Sequence, residues 1–233
     1  MNSSQTAIPT ERDTPDEALG ALQQDLEGRV EELVNWLSAG VGFLASICGL
    51  VVLLVMAVGN ASPLMTGAVL IYGVSLVTLH CASTLYHISK TPRMRRAMKI
   101  FDHAAIFGLI AGSWTPFLLG PLQETQLGWT LFGVIWGLAL IGIALKLFFV
   151  GRFRLLSTGV YLGMGWLALA IMGPLANTIS EQAFFWLLAG GGAYTVGVVF
   201  YLWQRLPFNH GIWHGFVMAG GAAHFVAIVN LLP

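Results

Sequence analysis

The sequence predicts an all-α, polytopic membrane protein: a bundle of seven transmembrane helices with its N-terminus in the cytosol and its C-terminus outside. Three observations predict it. Of 233 residues, 56% are hydrophobic and only 9% are charged, against about a quarter charged in an ordinary soluble domain. The apolar residues fall into runs close to the ~20 residues a helix needs to cross the hydrocarbon core. The lysines and arginines collect at alternate breaks between those runs.

The first segment, residues 1–36, is expected to stay in the cytosol. Residues 1–14 read as disordered, and 16–36 place Leu19, Leu22, Leu26, Val30 and Leu33 at steps of three and four with acids between them, an amphipathic helical pattern. This helix either lies on the cytosolic face or extends the first span. Because residues 1–32 are polar and acidic and the first apolar run is long and late, a cleavable signal peptide is not expected and the first helix anchors itself.

The transmembrane domain, 37–232, is expected to hold spans at 37–58, 64–86, 100–119, 127–150, 155–175, 183–203 and 210–232. Only Gly151, Arg152, Phe153 and Arg154 separate the fourth from the fifth, but two arginines are too costly at mid-membrane to allow one continuous helix. Lys90, Arg93, Arg95, Arg96 and Lys99 follow the second span; Lys146, Arg152 and Arg154 surround the fourth break; Arg205 follows the sixth; and Arg12 and Arg29 precede the first. The opposite breaks, 60–63, 121–126 and 176–182, carry no Lys or Arg. All the basic residues therefore share the cytosolic side if the N-terminus lies there, and an odd number of spans puts Pro233 outside.

The glycine-rich stretches 189–193 and 219–223 are small-residue surfaces for close helix packing in lipid, not nucleotide loops. Trp36, Trp114, Trp129, Trp203 and Trp213 read as an aromatic belt. Cys48 and Cys81 lie in separate apolar runs and read as small core residues. No internal repeat is visible, so a transporter of inverted halves gains no support. The net charge is zero, and the partners implied are membrane lipids or a small hydrophobic ligand, with no nucleic acid.

Ionisable groups inside spans are costly and point to function. Asp102 is the only acid in a predicted span, and the histidines are His80, His87, His103, His210, His214 and His224. Topology sorts them by depth: His87 ends the second span, Asp102 opens the third, and His210 and His214 open the seventh, all at cytosolic ends. His210 and His214, at i and i+4, share one helix face within reach of a single ion. A lone H-x3-H also arises from packing, but His87 brings a third neutral nitrogen donor at the same depth. Three such donors are the set used by catalytic zinc sites that keep a position for water. Asp102 then serves as general base or as an orienting hydrogen-bond partner, unless it merely pairs with a loop cation. Ser83, one turn before His87, orients the water or a substrate carbonyl, unless it only back-bonds to its own helix. His80 and His224 line a polar cavity or share interhelical hydrogen bonds, with the second favoured. His103 points away, toward lipid headgroups or a loop.

The segments 83–87 (STLYH), 101–106 (FDHAAI), 111–117 (AGSWTPF), 190–194 (GGGAY) and the His210-x3-His214 pair resemble those of the bacterial hemolysin III proteins. That family is similar to the progestin and adipoQ receptors and, more remotely, to alkaline ceramidases. The resemblance spans nearly all of 31–232. It implies a seven-helix fold and a zinc ion on the cytosolic side, held by His87, His210 and His214, with Asp102 holding a metal-bound water and Ser83 close behind. One departure is Ala39, where many members carry a histidine.

Three functions follow as expectations. The first is a zinc-dependent hydrolase, ceramidase-like, or a sensor acting on a membrane lipid amide or ester. The second is a receptor-like protein with a structural zinc and no catalysis. The third is a pore-forming cytolysin, which should show a polar stripe along several spans, whereas the polar groups here gather at one end. The bacterial resemblance places the chain in an inner (cell) membrane.

Overall fold

The computed structural model describes residues 15–149 and 153–233. The expected disorder of 1–14, and Gly151 and Arg152 of the expected fourth break, lie outside the described residues. Among the described residues every regular element is helical, and six helices are long and apolar enough to cross a membrane.

Helix α1 runs unbroken over Pro15–Ala57, 43 residues, or about 65 Å at 1.5 Å per residue. That is twice the roughly 30 Å hydrocarbon core, so its first half stands beyond the membrane. The amphipathic segment is thus an extension of the first span, the second of the two readings above. Its Leu19, Leu22 and Leu26 are exposed. Helices α2 (Pro63–Ile88) and α3 (Pro92–Leu119) start alike: Ser62 Oγ accepts from the Met65 N–H at 3.2 Å, Thr91 Oγ1 accepts from the Met94 N–H at 3.3 Å, and proline follows each cap. A hydroxyl N-cap with proline in the first turn satisfies donors that the helix leaves open and presets its φ.

Helix α3 is the centre of the bundle. It packs against α2 on one side and α4 (Gln126–Phe149) on the other, touching α5 (Arg154–Gly165) and α8 (Asn209–Val229) as well. It contains the third expected span but is not among the six apolar helices. Asp102, His103, Ser113, Thr115 and Pro116 dilute its apolar character, which a helix enclosed by its neighbours tolerates. The fifth expected span is also less regular than the sequence suggests. After α5 comes a 3₁₀ stretch, Trp166–Ile171, and then the short α6, Met172–Ala176. Gly163, Gly165 and Gly173 weaken the helix here, and Pro174 withholds an N–H from the Ala170 carbonyl.

Helix α7 (Glu181–Leu202), capped by Ser180 Oγ accepting from the Ala183 N–H at 3.1 Å, packs closely on α8. The predicted glycine surfaces meet here: the His224 ring fills the space a side chain would need at Gly190, and the Tyr194 ring does the same at Gly220. Several single-residue expectations are corrected. Trp114 is buried in the core beside Phe117, at a ring separation of 6.3 Å, and is no belt residue. Cys48 faces outward and Cys81 is half-buried; in lipid an outward thiol carries no hydration cost, which is why a soluble-protein rule misplaced it. Lys146, grouped above with the basic residues around the fourth break, is buried, donates to Ser157 Oγ at 2.6 Å and lies 5.9 Å from the Tyr161 ring centroid.

Replacing Gly190 by alanine is expected to lower thermal stability in detergent by about 1–3 kcal/mol, because the new Cβ collides with the His224 imidazole. An unchanged midpoint in a circular-dichroism melt would mean that the α7–α8 contact is looser than described.

Candidate metal centre

Three helix ends converge at one end of the bundle. His87 lies in the last turn of α2, Asp102 one third of the way along α3, and His210 and His214 in the first two turns of α8. The approach into α8 is tightly controlled. Phe208 adopts a left-handed φ of 57°, sterically costly for a bulky residue, and its N–H donates to Glu31 Oε1 at 2.7 Å. The first turn of α8 then rests on α1, where a Cβ at Gly211 would come within 2.8 Å of Val34.

The three imidazoles expected to act together do meet. Ring centroids are 5.0 Å apart for His87 and His210, 5.3 Å for His87 and His214, and 4.7 Å for His210 and His214. One ring nitrogen from each lies within 4.8 Å of the others, a grouping that can hold a metal ion. His87 Nε2 is buried with no hydrogen-bond partner. A buried lone pair left unmatched is destabilising, and a cation at the centre of three neutral nitrogens removes that penalty, so the residues present fit a metal ion.

Asp102 is buried and does not belong to the nitrogen group. It lines the same niche, together with Ser83, His80 and His103. Ser83 sits between the two parts: its Oγ is 3.2 Å from His214 Nε2, and it also hydrogen-bonds the Asp102 carboxyl. His80 takes the first of its two readings, a wall of this niche, with room made for its ring by Gly42 of α1. His103 corrects the expectation that it faces headgroups. Its Nδ1 is 2.9 Å from the Lys99 carbonyl and 3.6 Å from Asp102, and it faces the niche; a hydrogen bond to its own preceding turn pulls the ring back along α3. His224 is distant, with Nδ1 donating to the Gly220 carbonyl of its own helix at 2.9 Å.

Residues that sequence reasoning passed over complete the surroundings. Glu32 Oε2 is 3.2 Å from His87 Nδ1, and Glu32 Oε1 is 2.6 Å from Arg95. Ser38 Oγ is 2.8 Å from His214 Nδ1. Partial burial works against the charge on Glu32, yet the His87 and Arg95 contacts prevail and hold its carboxyl down at about 2. Arg95 shows the converse, with burial opposing its charge and Glu32 raising it above its ordinary value. The signal available in the sequence was depth: Glu31 and Glu32 are the last acids before the first span, level with His87 and His210.

An apolar cavity adjoins the niche, running between α3, α5, α7 and α8. Leu79, Ile106, Tyr201, Trp213 and Val217 form walls of both spaces.

Comparison with known proteins gives the family. The family profile described as Haemolysin-III related matches residues 28–225. The chain belongs to the haemolysin III family. It is 46% identical over 199 residues to a hemolysin-3 homolog of Bacillus subtilis, covering 85% of this chain and 93% of that protein. It is 44% identical over 199 residues to hemolysin-3 of Bacillus cereus, covering 85% and 90%. The human monocyte to macrophage differentiation factor is 33% identical over 172 residues, 70% of this chain and 69% of that protein. The motif resemblance therefore stands. With six apolar helices and bacterial relatives, this haemolysin III protein is an integral membrane protein, in keeping with a bacterial inner membrane.

Elemental analysis of detergent-purified protein is expected to find about one divalent metal per chain, the stoichiometry of a three-histidine site. It should be lost in His87→Ala and in the double variant His210→Ala/His214→Ala. Metal-free wild type would mean that the cluster is a hydrogen-bonded imidazole group.

Proposed function

We propose that this haemolysin III protein is a zinc-dependent hydrolase of a membrane lipid amide or ester, with its site at the cytosolic end of a seven-span bundle. The observation that carries the reading is the junction of two unlike spaces. A niche lined by His210, His214 and the buried Asp102 carboxyl, with His87 completing the imidazole group beside it, shares walls with an apolar cavity. A purely structural metal has no use for the adjoining cavity.

Three neutral nitrogens are the ligand set of zinc sites that retain an open position. When bound, zinc supplies a Lewis acid for the carbonyl and lowers the pKa of water. The chain's own residues do the rest. His87, His210 and His214 hold the ion, and Asp102, in the same niche but outside the ligand group, accepts the proton of the attacking water on a carboxylate oxygen. Ser83 orients Asp102 through its hydroxyl. The apolar cavity takes the chain, excludes water from it and brings the polar linkage to the junction, which Tyr201 and Trp213 wall.

The membrane placement belongs to this reading. Helix α3, 28 residues long and surrounded by α2, α4, α5 and α8, is the third of seven spans. The segregation of Lys and Arg puts the N-terminus, Arg95 and the histidine niche in or next to the cytosol.

Purified, zinc-loaded protein is expected to release fatty acid from one member of a panel of ceramides, N-acyl amides and glycerolipids. Asp102→Ala should retain zinc while losing about 10²–10⁴-fold in turnover. Loaded wild type that cleaves none of them, or Asp102→Ala that cleaves at the wild-type rate, would sink the hydrolase reading and leave a metal-stapled receptor.

A further inference from the structure

The metal ligands come from α2 and α8, yet the groups that touch their other ring nitrogens come from α1. Glu32 and Ser38 lie six residues apart on α1, and each contacts the Nδ1 of a different histidine: Glu32 Oε2 at 3.2 Å from His87, Ser38 Oγ at 2.8 Å from His214. Hydrogen-bond chemistry fixes what each contact means. An ionised carboxylate only accepts, so His87 Nδ1 carries the proton and Nε2 keeps its lone pair. Ser38 has a single hydroxyl proton, and it donates that proton to the Asn35 carbonyl at 3.0 Å. Toward His214 the Ser38 oxygen can therefore only accept. Nδ1 of His214 is again the protonated nitrogen, and Nε2 keeps its lone pair, facing the Ser83 hydroxyl 3.2 Å away.

We propose that Glu32 and Ser38 are positioning residues of the metal centre: α1 locks two of its three imidazoles into the tautomer and orientation that present Nε2 to the ion. The inference rests on the metal reading above and goes beyond it by assigning the outer contacts to a helix that supplies no ligand. Glu32 is itself fixed, because its second oxygen pairs with Arg95 on the first turn of α3 at 2.6 Å. The chain Arg95–Glu32–His87 thus links α3, α1 and α2 in one line that ends on the buried, unpartnered His87 Nε2. A carboxylate behind a metal-binding histidine raises the ligand's basicity as well as fixing its ring, and losing such a partner weakens metal binding by about 10–100-fold. The alternative is a plain ion pair that ties α1 to α3 and leaves the imidazoles to find their own orientation.

The test uses the full-length protein in detergent, loaded with Co²⁺, whose visible absorption reports ligand geometry. Affinity is measured by chelator competition, and the melting midpoint of the metal-free form is the control for folding. Glu32→Ala is expected to bind Co²⁺ about 10–100-fold more weakly with an altered spectrum. Glu32→Gln, which keeps an oxygen acceptor for Nδ1–H but loses the charge, should fall between it and wild type. Ser38→Ala should weaken binding and change the spectrum while leaving the Glu32–Arg95 pair intact; it carries the test by itself if Glu32→Ala fails to fold. Wild-type affinity and spectrum in both alanine variants would overturn the proposal, as would a loss of metal-free stability in Glu32→Ala and Arg95→Met with affinity unchanged. Wild type that takes up neither cobalt nor zinc would instead overturn the metal centre itself, an outcome separate from the first two.

Discussion

The structure depends on the cost of placing imidazole and carboxyl groups in a medium with no water to solvate them. A lone polar side chain in hydrocarbon loses several kilocalories per mole of hydration and regains it only through partners. In this chain His80, His87, His103, His210, His214 and Asp102 sit on α2, α3 and α8, and each is brought to one end of the bundle where it has a neighbour to bond. Helix order follows from that gathering. Helix α3 must be central because it carries the carboxyl, and α2 and α8 must flank the niche because they carry the nitrogens. Close approach is bought with glycine at Gly42, which admits the His80 ring, and at Gly211, which lets α8 lie on α1.

Helix α1 has a different task. A helix of 43 residues is far longer than a span requires, and the stretch that justifies the excess is the one where Glu31, Glu32, Asn35 and Ser38 meet the rest of the molecule. Glu31 holds the strained turn at Phe208, Glu32 joins His87 to Arg95, and Ser38 backs His214. The rim of the bundle is thereby braced at the level of the niche, where helix ends would otherwise fray. Rigidity at that level matters for a metal: ligands misplaced by an ångström lose affinity, so contacts behind the ligands count nearly as much as the ligands.

Much of this was legible in the sequence because hydrophobicity in lipid is a strong signal. Run lengths located the six apolar helices, and depth sorting alone put His87, His210, His214 and Asp102 in one layer. The residues that escaped share a cause: their types are ordinary for their segment. Glu32 is one acid among several in an amphipathic stretch, and nothing in its spacing distinguishes it from Glu27 or Glu31. Ser38 is a small residue at the start of an apolar run. Lys146 counted only as part of the basic cluster around the fourth break, but its ammonium turns inward and is buried against Ser157. Trp114 was assigned to the interface by composition, although α3 is enclosed by other helices and its tryptophan packs on Phe117. Periodicity identifies a helix and its faces, but not which face another helix will cover.

The irregular stretch after α5 is best understood through the cavity it borders. Non-helical backbone is expensive at membrane depth unless it is enclosed by protein or faces an internal space. Gly165, Trp166 and Met172, from the end of α5 through the 3₁₀ segment into α6, all line the apolar cavity. Packing follows the same division. Helices α7 and α8 are in close register through Gly190 and Gly220, whereas α5 touches α3 and α7 only lightly. The space beside the niche therefore lies on the loosely packed side of the bundle, between one rigid wall and one irregular wall. The chain-like ligand of the proposed hydrolase would meet least resistance there, because parting α5 from α7 disturbs few contacts, while parting α2, α3 or α8 would break the layer of imidazoles that the rest of the fold assembles.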